Sequence, residues 1–263
     1  MKPILVGIDG SAAAIAAALW GVDEAITRGV PLRLISVVKP THESPEDYER
    51  DIAHAEKSLL QARLAVEATG KAVTVETEVP RGPAGSVLLE ASSDAEMICV
   101  GCVGIGRYAR AIVGSTATEL AEKARCPVAV VRTESDRPPP DINWIVVRMT
   151  DAPGNDTVVN YAAAEAKLRR APLLVLGGWP GELGEHADGE FERRLAEWRQ
   201  HYPEVRVYPI TTKHAIASYL SEHDERVLLA VIGGDEARQL AQLVGPQGHP
   251  LFRHPECSVL VVR

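Results

Sequence analysis

The feature that most constrains this chain is that it reads as two copies of one pattern. An apolar run, Ile4-Leu5-Val6-Gly7-Ile8, ends in the turn Asp9-Gly10-Ser11, and Ile145-Val146-Val147-Arg148-Met149 runs into Thr150-Asp151 in the same way. Each run leads through a helix-like stretch, over 12–28 in the first copy and Tyr161 to Arg170 in the second, to a proline at a matching place, Pro31 or Pro172. A second apolar run follows each proline, Leu32 to Val38 and Leu173 to Leu176. The copies also end alike: Cys126-Pro127-Val128-Ala129-Val130-Val131-Arg132 and Cys257-Ser258-Val259-Leu260-Val261-Val262-Arg263 keep the cysteine and the final Val-Val-Arg in register. Such self-similarity marks one supersecondary plan used twice. The polar, Pro-rich segment around Arg137-Pro138-Pro139-Pro140-Asp141 reads as a stiff exposed connection. The expected organisation is a domain over 1–135, a linker over 136–142 and a second domain over 143–263.

Within the first copy, Ile15, Leu19, Val22 and Ile26 recur at steps of four, three and four, one face of a 3.6-residue period, with Ser11 as N-cap and Gly29 as the stop. Strands near 3–8, 32–38, 73–79, 96–100 and 127–132 alternate with helices near 12–28, 45–69, 84–93 and 115–125. Met97-Ile98-Cys99-Val100 and Val128-Ala129-Val130-Val131 are continuously apolar, as strands covered on both faces must be. The fold class that follows is α/β, a doubly wound, Rossmann-like parallel sheet of five strands in each half, with a ligand site expected beyond the carboxyl ends of the strands.

Composition narrows the function. A formal charge of −8 over 263 residues argues against a sequence-independent nucleic-acid binder or an anionic-membrane binder, since both rest on Lys and Arg. No run approaches a membrane span, the first residues do not read as a secretory leader, and Cys99, Cys102, Cys126 and Cys257 are too few and irregular for a disulfide framework. The cytoplasm is the expected location.

Two Gly-rich turns, Gly7-Ile8-Asp9-Gly10-Ser11 and Gly101-Cys102-Val103-Gly104-Ile105-Gly106, fall at the expected carboxyl ends of strands. Farther on, Gly114-Ser115-Thr116 precedes the last helix of the first half, where free N–H groups and two hydroxyls suit phosphate. Arg107 and Arg110 lie on the intervening loop and offer charge. Gly70-Lys71 lacks the surroundings of a P-loop, and no stretch after a strand reads G-x-G-x-x-G.

Gly101-x2-Gly104-x9-Gly114-Ser115 resembles the glycine signature of ATP-binding universal stress proteins, and Val6-Gly7-Ile8-Asp9-Gly10-Ser11 is similar to that family's opening strand and aspartate. Gly82-Pro83-Ala84 and Ala95 to Gly101 resemble its third helix and fourth strand. The likeness is good over 1–132 and holds in outline over 141–263, as in tandem members of actinobacterial type. It implies that Asp9, in the turn with Gly7 and Gly10, and Val37 lie against adenine, and that Val100 and Gly101 meet the ribose. It further implies that Gly104, Gly114, Ser115 and Thr116 hold phosphates, with Arg107 nearby and Mg²⁺ or Mn²⁺ bridging phosphate oxygens. The function it implies is that of an ATP-binding regulator of stress response or dormancy acting on a protein partner, with the second half completing a dimer-like pairing and a homodimer as a further assembly. A slow ATPase or phosphoryl-transfer enzyme at the same site, or an interaction module that needs no nucleotide, remain the alternatives. No dedicated general base is evident, so no residue is assigned a catalytic role.

The second half departs from the signature. Thr150 stands for Asp9, Asp235 falls at the place of the second motif glycine, and Pro246 after Gly245 takes the place of Ser115, so this half is expected to bind ATP weakly or not at all. Other features have plainer readings. Cys99-x-x-Cys102 belongs to a buried strand, and His249, His254 and Cys257 lack zinc spacing. His42-Glu43-Ser44-Pro45-Glu46-Asp47 is a capped helix start, and Arg193, Arg194, Arg199 and Arg206 form a solvated face.

Overall fold

Continuously apolar strands need helices on both sheet faces, and the computed structural model, which describes residues 1–102, 113–133, 143–178, 187–223, 226–244 and 257–263, has that arrangement. The chain divides into two units, Met1–Glu134 and Ser135–Arg263. In unit 1, β1 (Ile4–Gly7), α1 (Ala12–Arg28), β2 (Leu32–Ile35), α2 (Pro45–Ala68), β3 (Val75–Glu78), α3 (Ala84–Ala91), β4 (Met97–Gly101), α4 (Ser115–Lys123) and β5 (Val128–Val131) follow in order. All pairings are parallel, and the strands stand in the order β3-β2-β1-β4-β5. Unit 2 repeats the plan with β6 (Trp144–Arg148), α5 (Asn155–Arg169), β7 (Leu173–Gly178), α6 (Ala187–His201), β8 (Val207–Thr212), α7 (Ile216–Glu222), β9 (Val227–Gly233), α8 (Leu240–Leu243) and β10 (Ser258–Val262), in the order β8-β7-β6-β9-β10. Residues 136–142, read as the linker, lie outside the described residues.

Local chemistry sets the helix limits. Ser11 Oγ accepts from Ala14 N at 3.1 Å to open α1, and Gly29 closes it at φ 65°. Ser44 Oγ accepts from Asp47 N at 3.1 Å, with Pro45 in the first turn and Glu46 and Asp47 at the positive end of α2.

The buried face of α1 is not the one its large residues suggest. Leu19 and Ile26 are exposed, at 38% and 43%, while Ala14, Ala17, Ala18, Gly21, Val22 and Ala25 are buried. The reason is closeness: a Cβ on Gly21 would lie 3.0 Å from Leu32 Cδ1 and 3.1 Å from Val6 Cγ2, so at that point α1 lies too near the sheet for a large side chain. In unit 2, α5 begins at Asn155 rather than Tyr161, because the chain turns at Gly154 with φ 83° and the polar residues Asn155, Asp156 and Thr157 form a first turn. Among the described residues, no helix is long and apolar enough to cross a membrane.

Candidate functional site

In unit 1 the strand order reverses between β1 and β4, and chains leaving the two strands diverge to opposite faces, which opens a crevice at their carboxyl ends. A cavity of about 590 Å³ occupies that position. It is lined by Gly7, Ile8 and Asp9 at and just past the end of β1, Ile35 to Lys39 at and just past the end of β2, and Val100 and Gly101 at the end of β4. Asp51, His54 and Ala55 of α2, Ala84 and Leu88 of α3, and the first turn of α4 form the walls.

Eight residues singled out from the sequence, Gly7, Asp9, Val37, Val100, Gly101, Gly114, Ser115 and Thr116, line this one cavity. Gly10 does not line it: at φ 84° it shapes the turn beneath, and a Cβ there would lie 2.8 Å from Ser58 Oγ. Gly104 and Arg107 lie outside the described residues. The Asp9 carboxylate is fixed locally, Oδ1 accepting from Ser11 N at 3.0 Å.

The two described motif glycines differ in what they meet. A Cβ on Gly101 would fall 2.7 Å from Ala13 Cβ and 2.8 Å from Ala13 C, so α1 itself demands glycine there. On Gly114 a Cβ would meet Cys102 O at 3.6 Å, an ordinary contact. Gly114 is the N-cap of α4 and makes no side-chain cap; its own N–H donates to Cys102 O at 2.8 Å. Ser115, Thr116 and Ala117 of the following turn line the cavity at the positive end of a nine-residue helix, whose first N–H groups have no partner within the helix.

Sequence reasoning missed the α2 wall. Asp51 and His54 sit one turn apart on α2, and Asp51 Oδ2 meets His42 Nε2 at 3.2 Å and Lys39 Nζ at 3.8 Å. No short motif marks these residues; the signal available was a capped helix whose one face carries Asp51, His54 and Ala55 in place of large apolar residues. Cys99 and Cys102 are buried in and just after β4, and among the described residues no three His, Cys, Asp or Glu side chains gather as a metal site. His249 and His254 lie outside the described residues.

Unit 2 has a cavity of about 600 Å³ at the matching switch point, between β6 and β9. The register aligns the units: Gly101 pairs with Val131 as Gly233 pairs with Val262, and Val6 pairs with Cys99 as Val147 pairs with Val231. Arg148 thus replaces Gly7, and Thr150 replaces Asp9. Counted three residues on from the paired positions Gly101 and Gly233, Glu236 matches Gly104 in sequence, one residue past Asp235; Gly104 itself lies outside the described residues. Burial raises the Glu236 carboxyl above its ordinary value, opposed by a hydrogen bond from Gly233 N. The turn after β6 spans six residues (149–154) against four (8–11) after β1. Asn155 Oδ1 accepts from Thr150 N at 2.8 Å, and Arg194 reaches from α6 to Thr150 O at 2.9 Å and Asp156 Oδ1 at 2.6 Å. Its side chain is 14% exposed, so Arg194 is a clamp on this turn and not part of a solvated face. Gly245 and Pro246 lie outside the described residues.

Residues 1–132 match the model of the universal stress protein family. A universal stress protein of Mycobacterium tuberculosis (strain H37Rv) is 72% identical over 263 residues, covering 100% of this chain and 97% of its own. Another from the same strain is 35% identical over 265 residues, covering 98% of this chain and 95% of its own. Among solved structures, a universal stress protein from Archaeoglobus fulgidus matches with TM-score 0.70 over 99% of this chain and 96% of its own, at 16% identity, a likeness of fold.

Proposed function

Because the chain belongs to the universal stress protein family, we propose that its first unit binds an adenine nucleotide, ATP in the first instance, and that the chain acts in the cytoplasm as a nucleotide-dependent regulator of stress response or dormancy. In this reading Asp9 and Val37 face the base, Val100 and Gly101 the sugar, and Gly114, Ser115 and Thr116 the phosphates, with Gly104 and Arg107 completing the phosphate side. The residues present suit a phosphate: the first turn of α4 offers N–H groups and two hydroxyls, and Gly114 keeps its backbone accessible. Mg²⁺ or Mn²⁺ held by the phosphate oxygens would offset their charge. The occupied and empty states would differ in the protein partner they engage.

The observation that carries this reading is Gly114. Packing explains Gly101, but among the described residues beyond its chain neighbours nothing lies closer than 3.6 Å to a Cβ on Gly114, which supports a glycine kept for close approach from the cavity side. In unit 2, Arg148 lines the cavity in register with Gly7, Glu236 lines it three residues past Gly233, and Asn155 and Arg194 hold the lengthened turn. Calorimetric titration with Mg-ATP should therefore saturate at one nucleotide per chain. Saturation at two would overturn the assignment of binding to unit 1 alone, and no binding would overturn the reading altogether.

A further inference from the structure

α2 carries a carboxylate that the fold orients and then leaves half used. Both contacts of Asp51 are made through Oδ2, to His42 Nε2 at 3.2 Å and Lys39 Nζ at 3.8 Å. Among the described residues Oδ1 has no partner, and Asp51 lines the cavity. His42 is a firm anchor. Its side chain is 6% exposed, its ring lies edge-on to Tyr48 with centroids 5.1 Å apart, and the Arg81 guanidinium covers Tyr48 at 5.4 Å. An ionised carboxylate accepts hydrogen bonds and donates none, so a fixed, unoccupied Oδ1 on a cavity wall selects a donor on the ligand.

Position decides which donor. β2 stands two strands from β4 in the order β2-β1-β4, and strands lie about 4.8 Å apart, so the β2 end is roughly 10 Å from the β4 end. Asp51 is tied to the segment that leaves β2, its Oδ2 lying 3.8 Å from Lys39 Nζ, while the first turn of α4 is tied to the end of β4, Gly114 N donating to Cys102 O at 2.8 Å, and both line the cavity. A nucleotide with its phosphates at α4 brings its base, not its sugar, to Asp51.

We propose that Asp51 is a specificity-determining residue of this site, its Oδ1 accepting a hydrogen bond from the exocyclic amino group of the base, and that His42 is a positioning residue that holds the carboxylate for that contact. The inference rests on the reading of unit 1 as an adenine-nucleotide site. Adenine offers an amino group at this place; hypoxanthine offers an oxo group, whose lone pairs oppose those of the carboxylate.

The test is calorimetric titration of the full chain with Mg-ATP, Mg-ITP and Mg-2′-deoxy-ATP. The parent should bind ATP at least about tenfold more tightly than ITP, as expected for a hydrogen bond to a charged group. Asp51→Asn, whose amide can turn its NH₂ to the oxo group, should bring the two affinities close together. Asp51→Ala, which removes the acceptor and adds no donor, should weaken ATP and not ITP. His42→Ala should narrow the ATP-to-ITP ratio and His42→Gln, which keeps an N–H near the Nε2 position, should restore it; a merely structural His42 would weaken both nucleotides alike. A parent that binds neither nucleotide overturns the adenine-nucleotide reading and this inference with it. A parent that binds ATP and ITP equally, or an unchanged ratio in folded Asp51→Asn and Asp51→Ala, overturns this inference alone. So does an Asp51→Asn variant that loses the distinction between ATP and 2′-deoxy-ATP instead, since the acceptor would then meet the sugar.

Discussion

Adding one methyl group at Gly101 tests whether that glycine serves the fold. The Cβ of Gly101→Ala would lie 2.7 Å from Ala13 Cβ, 2.8 Å from Ala13 C and 3.0 Å from Ala14 N, whereas carbon atoms in contact rest at about 3.5–4.0 Å. Two of these obstacles are backbone of the first turn of α1, so relief means lifting the helix from β4 by roughly 1 Å. Overpacking of this kind costs about 1–3 kcal/mol, and in a unit of this size that lowers the melting temperature by about 3–12 °C. At Gly114 the same methyl meets, among the described residues, only Cys102 O, at 3.6 Å, with φ −59° already suited to any residue. Gly114→Ala should therefore stay within about 0.5 kcal/mol of the parent, while Gly114→Val weakens Mg-ATP binding at least about tenfold, or 1.4 kcal/mol, and adenosine less. Thermal melting of the nucleotide-free protein measures the first effect. Thiol labelling assigns it to unit 1, where Cys99, Cys102 and Cys126 are buried. Gly101→Ala melting with the parent, or Gly114→Ala falling as far as Gly101→Ala, would refute the argument that packing requires one glycine and the ligand the other.

Two further outcomes concern unit 2. Arg194→Ala removes the contacts to Thr150 O and Asp156 and should destabilise the chain by about 1–2 kcal/mol, the charged bonds being partly screened; chemical denaturation measures it, and an unchanged midpoint would show the clamp to be idle. Burial holds the Glu236 carboxyl above its ordinary value, so the folded unit keeps a proton that the unfolded chain has released, and stability falls as pH rises through that interval. Glu236→Gln should therefore raise the melting temperature at neutral pH and lose that advantage below about pH 4; an equal gain at both would refute the role of ionisation.

The strands were legible because burial on both faces leaves an unbroken apolar run, as in Met97 to Val100. Helix ends were legible because Ser11, Gly29, Ser44 and Pro45 act through local backbone chemistry. The buried face of α1 was not. Hydrophobic periodicity weighs side chains by size, and it pointed to Leu19 and Ile26, whereas the packing selects for smallness at Ala14, Ala17, Ala18 and Gly21. Within the site, the residues on turns came from a spaced signature, but His42 and Asp51 meet through the fold of a loop onto a helix, and no period or motif encodes that. The place of Glu236 needed the pairing of β9 with β10, since counting along the sequence leaves a one-residue choice between Asp235 and Glu236.

The filled turn after β6 gives the chain an internal contrast. In unit 1 the corresponding place is closed by fewer side chains: Asp9 Oδ1 caps Ser11 N, and the first turn of α4 lines the cavity with no side-chain cap, so a bound nucleotide would add to its order. In unit 2 the turn is closed within the chain: Asn155 bridges Thr150 N and Arg148 O, and Arg194 closes on Thr150 O. Amide exchange in the 148–156 turn should then be indifferent to nucleotide while exchange around Asp9 and Ser115 slows on saturation. On the proposed reading, the nucleotide would then act on one half of the sequence while the other, its turn already closed by its own side chains, would serve as a reference carried in the same molecule.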